Sequence, residues 1–180
     1  MPFLIVAVVF VGLLCALDLT LTLGVVKRLR EHTELIGNLS GRASIGVGEE
    51  VGEFTTVTVD GTPLSREGLA DDTLVGFFSP GCPACKEELP KFVEYARAMP
   101  GGRERVLATV VGDVARTTDM VAQLTPVAQV VAEPAQHGTV GPAFQVAAFP
   151  SVMRVGANGG GRSVVTEARV DLDRRPSPAA

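Results

Sequence analysis

Two of the three cysteines in this 180-residue chain fall in the stretch 77–92, FFSPGCPACKEELPKF, as Cys82 and Cys85. A Cys-x-x-Cys can hold a metal, staple a fold or exchange electrons. A zinc site needs about four ligands. The other candidates are Cys15, inside an apolar run, and the lone His32 and His137, with no second Cys-x-x-Cys, so no metal site is expected. A structural disulfide at this spacing closes so short a loop that it constrains almost nothing. Thiol–disulfide exchange remains: the pair accepts or donates two electrons, and the redox-active Cys82–Cys85 disulfide is itself the cofactor.

That chemistry depends on the elements around the pair. TLVGFFS (73–79) is apolar with a β-branched start and reads as a buried strand. A helix is expected from Pro83 to about Ala98, closed by Pro100, Gly101 and Gly102. Cys82 then sits at the capping position, and Pro83 at the first helical position, where a missing N–H costs nothing. A thiolate at Cys82 faces the unpaired N–H groups and the positive end of the helix dipole, which favours the ionised nucleophile. Cys85 lies within the first turn, further from solvent, with its sulfur able to approach that of Cys82. Cys82 is thus expected to attack and Cys85 to resolve. Lys86 beside Cys85 favours a thiolate, whereas Glu87 and Glu88 are ordinary first-turn residues.

The rest of the chain alternates strands and helices. FTTVTVD (54–60) alternates as a strand, Asp60-Gly61 signals a hairpin, and PLSREGLAD (63–71) reads as a turn or short helix. RVLATVVGD (105–113) is a second buried strand. The following helix, TTDMVAQLTPVA (117–128), is expected to be capped by Thr117 or Thr118. QVVAEP (129–134) reads as a strand and GPAFQV (141–146) as a helix or turn. FPSVMRVGANGGGRSVVTEARV (149–170) reads as a hairpin turning at Asn158-Gly159. This order predicts an α/β domain with a central mixed sheet flanked by helices.

The N-terminus reads as a transmembrane helix over residues 1–26. Its apolar run from Phe3 to Val26, broken by Asp18, covers roughly 36 Å as a helix at about 1.5 Å per residue, against a hydrocarbon core of about 30 Å. No Lys or Arg precedes the run and no small-x-small site closes it, which disfavours a cleaved signal. Leu14 before Cys15 disfavours lipid attachment, so Cys15 is expected inside the helix and Asp18 near the interface. A juxtamembrane helix and Gly-rich linker follow at 27–46, the soluble domain at 47–172 and a disordered tail at 173–180. Lys27, Arg28 and Arg30 after the span place the domain in the cytoplasm by the positive-inside rule. Disulfide traffic, heaviest outside the cytosol, places it on the other side. We expect a single-pass cell-membrane protein with an extracytoplasmic domain.

SPGCPACKEELPKF resembles the active-site segment of thioredoxin-fold proteins. Pro90, five residues after Cys85, matches the proline within that family's active-site helix. Phe149-Pro150 matches the family's cis-proline, which faces the disulfide and presents the substrate. With Cys82, Pro83, Ala84 and Cys85 in the motif and VGEFTTVTVDGTPLS before it, the chain is similar to the TlpA and MauD branch of membrane-tethered thiol–disulfide proteins. The resemblance spans residues 47–170. It implies a thioredoxin-like fold, thiol–disulfide oxidoreductase activity on client protein thiols or disulfides, Phe149 and Pro150 as substrate-binding residues, and a membrane electron donor or acceptor protein as partner. It also implies a role in maturing an extracytoplasmic redox protein. Two departures stand out: Gly81 replaces the Trp usually found before the first cysteine, and Gly76 replaces the buried acid six residues before it. Glu133 is the one later acid that could substitute, although it reads as a surface-loop residue.

A net charge of −4, no Trp and one Tyr give no footprint of a nucleic-acid partner. Two other functions use related parts. A thiol peroxidase of the peroxiredoxin type would place Pro and Thr where Val75 and Ser79 stand. A Sco-like copper-delivery protein would pair the cysteines with a distal His, for which His137 is available, but at a wider cysteine spacing.

Overall fold

The computed structural model describes residue 12 and residues 44–135 and 137–176. The chain divides into two units, Met1–Arg42 and Ala43–Ala180, and the second is described below. The expected membrane helix, with Cys15 and Asp18, and most of the linker, with His32, lie outside the described residues. Among those described, no helix is long and apolar enough to cross a membrane.

A short antiparallel hairpin comes first, β1 (Thr55–Val57) and β2 (Pro63–Ser65), paired Thr55 to Ser65 and Val57 to Pro63. The segment expected to be a turn or helix therefore begins as a strand. Pro63 tolerates that place because it ends a two-stranded edge, where a missing N–H is not needed. Five further strands form the main sheet: β3 (Thr73–Phe78), β4 (Val106–Val111), β5 (Gln129–Glu133), β6 (Ser151–Ala157) and β7 (Ser163–Glu167). Their spatial order is β5-β4-β3-β6-β7, with β3, β4 and β5 parallel and β6 and β7 antiparallel. The central mixed sheet is as expected.

Every residue of β3 is buried because the sheet is covered on both faces. On one face α1 (Pro83–Arg97) and α2 (Val114–Leu124) pack over Leu74, Phe78, Val106, Ala108, Val110 and Val130. On the other, α3 (Val140–Ala143), Phe144, Phe54 and Leu64 cover Val75, Phe77, Leu107 and Val131. The Phe144 ring lies 5.3 Å from that of Phe77 and 6.0 Å from that of Phe54. Ser44 and Ile45 already belong to this domain: both are buried, and the Ile45 N–H bonds to the Phe144 carbonyl at 3.0 Å. The packed unit thus begins ahead of position 47.

Two local readings change. The cap of α2 is Asp113, whose side chain accepts the Ala115 N–H at 3.1 Å, and Thr117 is buried within the helix. With Asp113 as the cap, the helix begins four residues earlier than a Thr117 cap would allow. The β6–β7 turn is wider than Asn158-Gly159 alone. The Asn158 side chain accepts the Gly160 and Arg162 N–H groups, both at 2.9 Å, with Gly161 at φ +74°.

Candidate active site

The site is assembled where β3 hands over to α1. Ser79 and Pro80 leave the strand, and the Cys82 N–H returns to the Ser79 carbonyl at 3.1 Å, closing a turn. Cys82 then caps α1 with an extended backbone, φ −96° and ψ 115°, and Pro83 opens the helix as expected. The Cys82 sulfur accepts the Cys85 N–H at 3.3 Å, one of the donors a helix start leaves unpaired. Gly81, Pro83 and Ala84 around it are exposed, so no bulky side chain shields the half-buried sulfur. Where a Trp would stand, a Cβ on Gly81 would meet nothing within 4 Å.

Cys85 lies behind it, fully buried among Phe78, Leu89 and Phe92. Its sulfur accepts the Ser79 N–H at 3.4 Å. Burial, reinforced by the Cys82 side chain, pushes its thiol up to about 12 from 9.0. Both cysteines are free thiols. The pair therefore divides into an accessible sulfur and a hidden one that keeps its proton, the asymmetry expected of an attacking and a resolving thiol.

The third part comes from 67 residues away in sequence. The Cys82 thiol donates to the Phe149 carbonyl at 3.3 Å. The Phe149–Pro150 peptide bond is cis, and both residues are half-buried. The loop ahead of β6 thus lies against the Cys82 sulfur. Pro90 sits inside α1 on its exposed side; it removes the N–H that would bond the Lys86 carbonyl, yet the helix runs on to Arg97.

Gly76 has a clear physical reason. A Cβ there would lie 2.6 Å from the Phe92 ring and 2.8 Å from the Phe78 ring, which themselves meet edge-on at 5.0 Å. Phe92 fills the space an acid would occupy. Glu133 is not the surface-loop residue that the sequence suggested. It is buried, and its carboxylate accepts the N–H groups of Thr139, Val140 and Gly141 at 2.7, 2.8 and 3.2 Å and the Thr139 hydroxyl at 3.1 Å. It holds the start of α3. His137 is exposed, and among the described residues no group of three His, Cys, Asp or Glu side chains is placed to hold a metal.

The Ser79 backbone donor, the Phe92 plug and the Glu133 cap were not identified as such from the sequence. A backbone N–H carries no sequence signal, and the other two depend on contacts between distant elements.

No family model matches the chain, and no curated protein matches it. Solved structures do. The chain is similar to a thiol:disulfide interchange protein from a Bacteroides species, with a TM-score of 0.53 and 14% identity over 72% of this chain and 84% of that one. It is also similar to a thioredoxin-family thiol:disulfide interchange protein from Chlorobium tepidum, with a TM-score of 0.51 and 20% identity over 72% of this chain and 92% of that one. At such identities what is shared is the architecture: the domain has the thioredoxin-like fold.

Proposed function

We propose that this protein is a thiol–disulfide oxidoreductase acting on client proteins through Cys82 and Cys85. The observation that carries the reading is the placement of one accessible sulfur between a helix N-terminus and a cis-proline loop, with a second thiol buried behind it. In the reducing direction the Cys82 thiolate attacks a client disulfide, forming a Cys82–client disulfide and releasing one client thiolate, which takes up a proton. Cys85 gives up its proton and attacks the Cys82 sulfur. The Cys82–Cys85 disulfide forms, the second client thiol leaves, and two electrons have passed to the client. The reverse sequence oxidises a client dithiol. The open surface at Gly81, Pro83 and Ala84 suits a protein substrate, and Phe149 and Pro150 would align its backbone, a proximity effect.

The test is covalent trapping. Cys85→Ser should accumulate mixed disulfides through Cys82, because the resolving thiol is gone, and Cys82→Ser should accumulate none. Equal trapping by both variants, or trapping by Cys82→Ser alone, would overturn the roles.

We further propose that residues 1–26 tether the domain to the cell membrane, that the domain is extracytoplasmic, and that a membrane protein exchanges electrons with the pair, as in the TlpA and MauD branch, in service of maturing an extracytoplasmic redox protein. The support is the apolar run and the likeness of the motif. A membrane-impermeant thiol reagent applied to intact cells after mild reduction should label Cys82. Protection until the cells are opened would put the domain in the cytoplasm, as Lys27, Arg28 and Arg30 argue.

A further inference from the structure

A groove of about 440 Å³ runs between α1 and α2 and opens beside the active-site turn, at Pro80. Leu89 and Met120, both buried, form its floor. Its rims are polar: Lys86 on α1, and Arg116, Asp119 and the neutral Gln123 on α2.

The charges are ordered along the groove. Lys86 follows Cys82 by four residues and so stands one helical turn, about 5.4 Å, along the same face of α1. Arg116 lies in the first turn of α2, the end packed against the active-site turn: a Cβ at Gly112 would lie 3.1 Å from Pro80 and 3.6 Å from Thr117. Both cations thus stand at the end nearest the reactive sulfur. Asp119 comes one turn further on, and Gln123 beyond it, its amide bonded to the Asp119 carbonyl at 3.2 Å. Lys86 and Arg116 are exposed and form no ion pair with a described residue, whereas Lys91, on the same helix, pairs with Asp173 at 3.2 Å and Glu88 at 3.5 Å. Two unpaired cations flanking a reactive thiol, on a chain of net charge −4, mark a local preference opposite to that of the whole molecule. Met120, unbranched and adaptable, suits a floor that receives varied side chains.

We propose that this groove is the docking site for the client segment flanking the reactive cysteine, and that it selects segments carrying Asp or Glu next to that cysteine. The proposal rests on the oxidoreductase reading and adds its substrate class. Cis-proline pairing through the Phe149 carbonyl engages backbone and does not discriminate sequence. The Lys86–Arg116 end supplies the side-chain preference, through encounter rate and modest ion pairing.

The test uses the full-length reduced protein and three disulfides: hydroxyethyl disulfide, which is small and uncharged, and two peptides differing only in whether Glu or Lys flanks the cysteine. Each peptide's rate is divided by its rate with dithiothreitol to remove intrinsic reactivity. The Glu peptide should react about fivefold faster than the Lys peptide at low salt, and the ratio should fall toward one in 0.5 M salt. Arg116→Glu should reverse the preference once each peptide rate is also divided by the same variant's rate with hydroxyethyl disulfide, which removes any general effect of the charge on the thiol. Arg97→Glu, an equal charge change at the far end of α1, should leave the preference intact. Equal peptide rates in the unmodified protein, or a preference that survives Arg116→Glu, would overturn the docking site while leaving the chemistry standing. Failure of all three disulfides to react would overturn the chemistry itself and the docking site with it.

Discussion

At the amino end of β3, Asp72 receives two bonds from Arg154, at 2.8 and 3.1 Å, and Arg154 also donates to the Tyr95 hydroxyl at 2.9 Å and lies over its ring, 5.9 Å from the centroid. Beyond the carboxyl end of the same strand, Cys85 is fully buried, and its sulfur accepts the Ser79 N–H at 3.4 Å. The first end ties β3, β6 and α1 together with buried charges of opposite sign. The second surrounds a titratable thiol with Phe78, Leu89 and Phe92, so burial opposes its ionisation. Giving a buried charge several partners makes a clamp, because any displacement costs several bonds at once. Leaving a buried thiol with one weak donor keeps it protonated until chemistry at the neighbouring sulfur gives it a use. On the proposed function, the fold places its rigidity and its reactivity at opposite ends of one strand.

The comparison breaks most visibly at the cysteines. Cys82→Ser should lower exchange by more than about 1,000-fold while leaving the unfolding midpoint nearly unchanged, since the position is half-buried and contributes one weak bond to the helix start. Peptide-disulfide kinetics alongside urea unfolding would check both halves.

Next comes the opposite end. Asp72→Asn preserves the left-handed backbone there, φ +58°, but leaves Arg154 without its nearest counter-charge. A loss of about 3–5 kcal/mol is expected, read by urea unfolding, with exchange per folded molecule unchanged. A variant that stayed stable but exchanged slowly would contradict the division between the two ends.

Glu133 sharpens the contrast with a smaller effect. Glu133→Gln keeps an acceptor at the start of α3 but removes the charge that three N–H groups and a hydroxyl share, for a cost of about 2 kcal/mol. The pH dependence of resolution should not change with it. A change would mean that Glu133 moves the proton of Cys85 after all.

The smallest effect is on alkaline stability. The folded state holds the Cys85 proton up to about 12, whereas the unfolded chain releases it near 9.0. The stability that goes with this is whole below pH 9 and is lost as pH rises from there toward 12. Cys85→Ala should therefore flatten part of the decline in melting temperature between pH 8.5 and 10.5. An identical decline in both proteins would mean that the buried thiol ionises as easily as an exposed one.

Much of this was legible in the chain. TLVGFF at 73–78 reads as a buried strand because parallel strands covered on both faces are continuously apolar, and it is one. Cys82 followed by Pro83 marks a helix start because capping and a missing N–H are properties of one turn of backbone. PLS at 63–65 was misread because its strand exists only through pairing with Thr55–Val57. Asp113 was passed over as a cap because the threonines after it carry the same local signal.

The sequence by itself determined the spacing of the two thiols, the helix that begins at the first of them and the alternation of strands and helices, all of which follow from neighbours within a turn or a strand. Only the tertiary structure decided that Phe149, 67 residues on, brings its carbonyl to Cys82, that Arg154 finds Asp72 82 residues away, that Phe92 fills the space beside Gly76, and that Glu133 is buried against α3. The physical reason is the same in each case: burial, a counter-charge or a filled volume belongs to the set of elements that close around a residue, and no local pattern names that set.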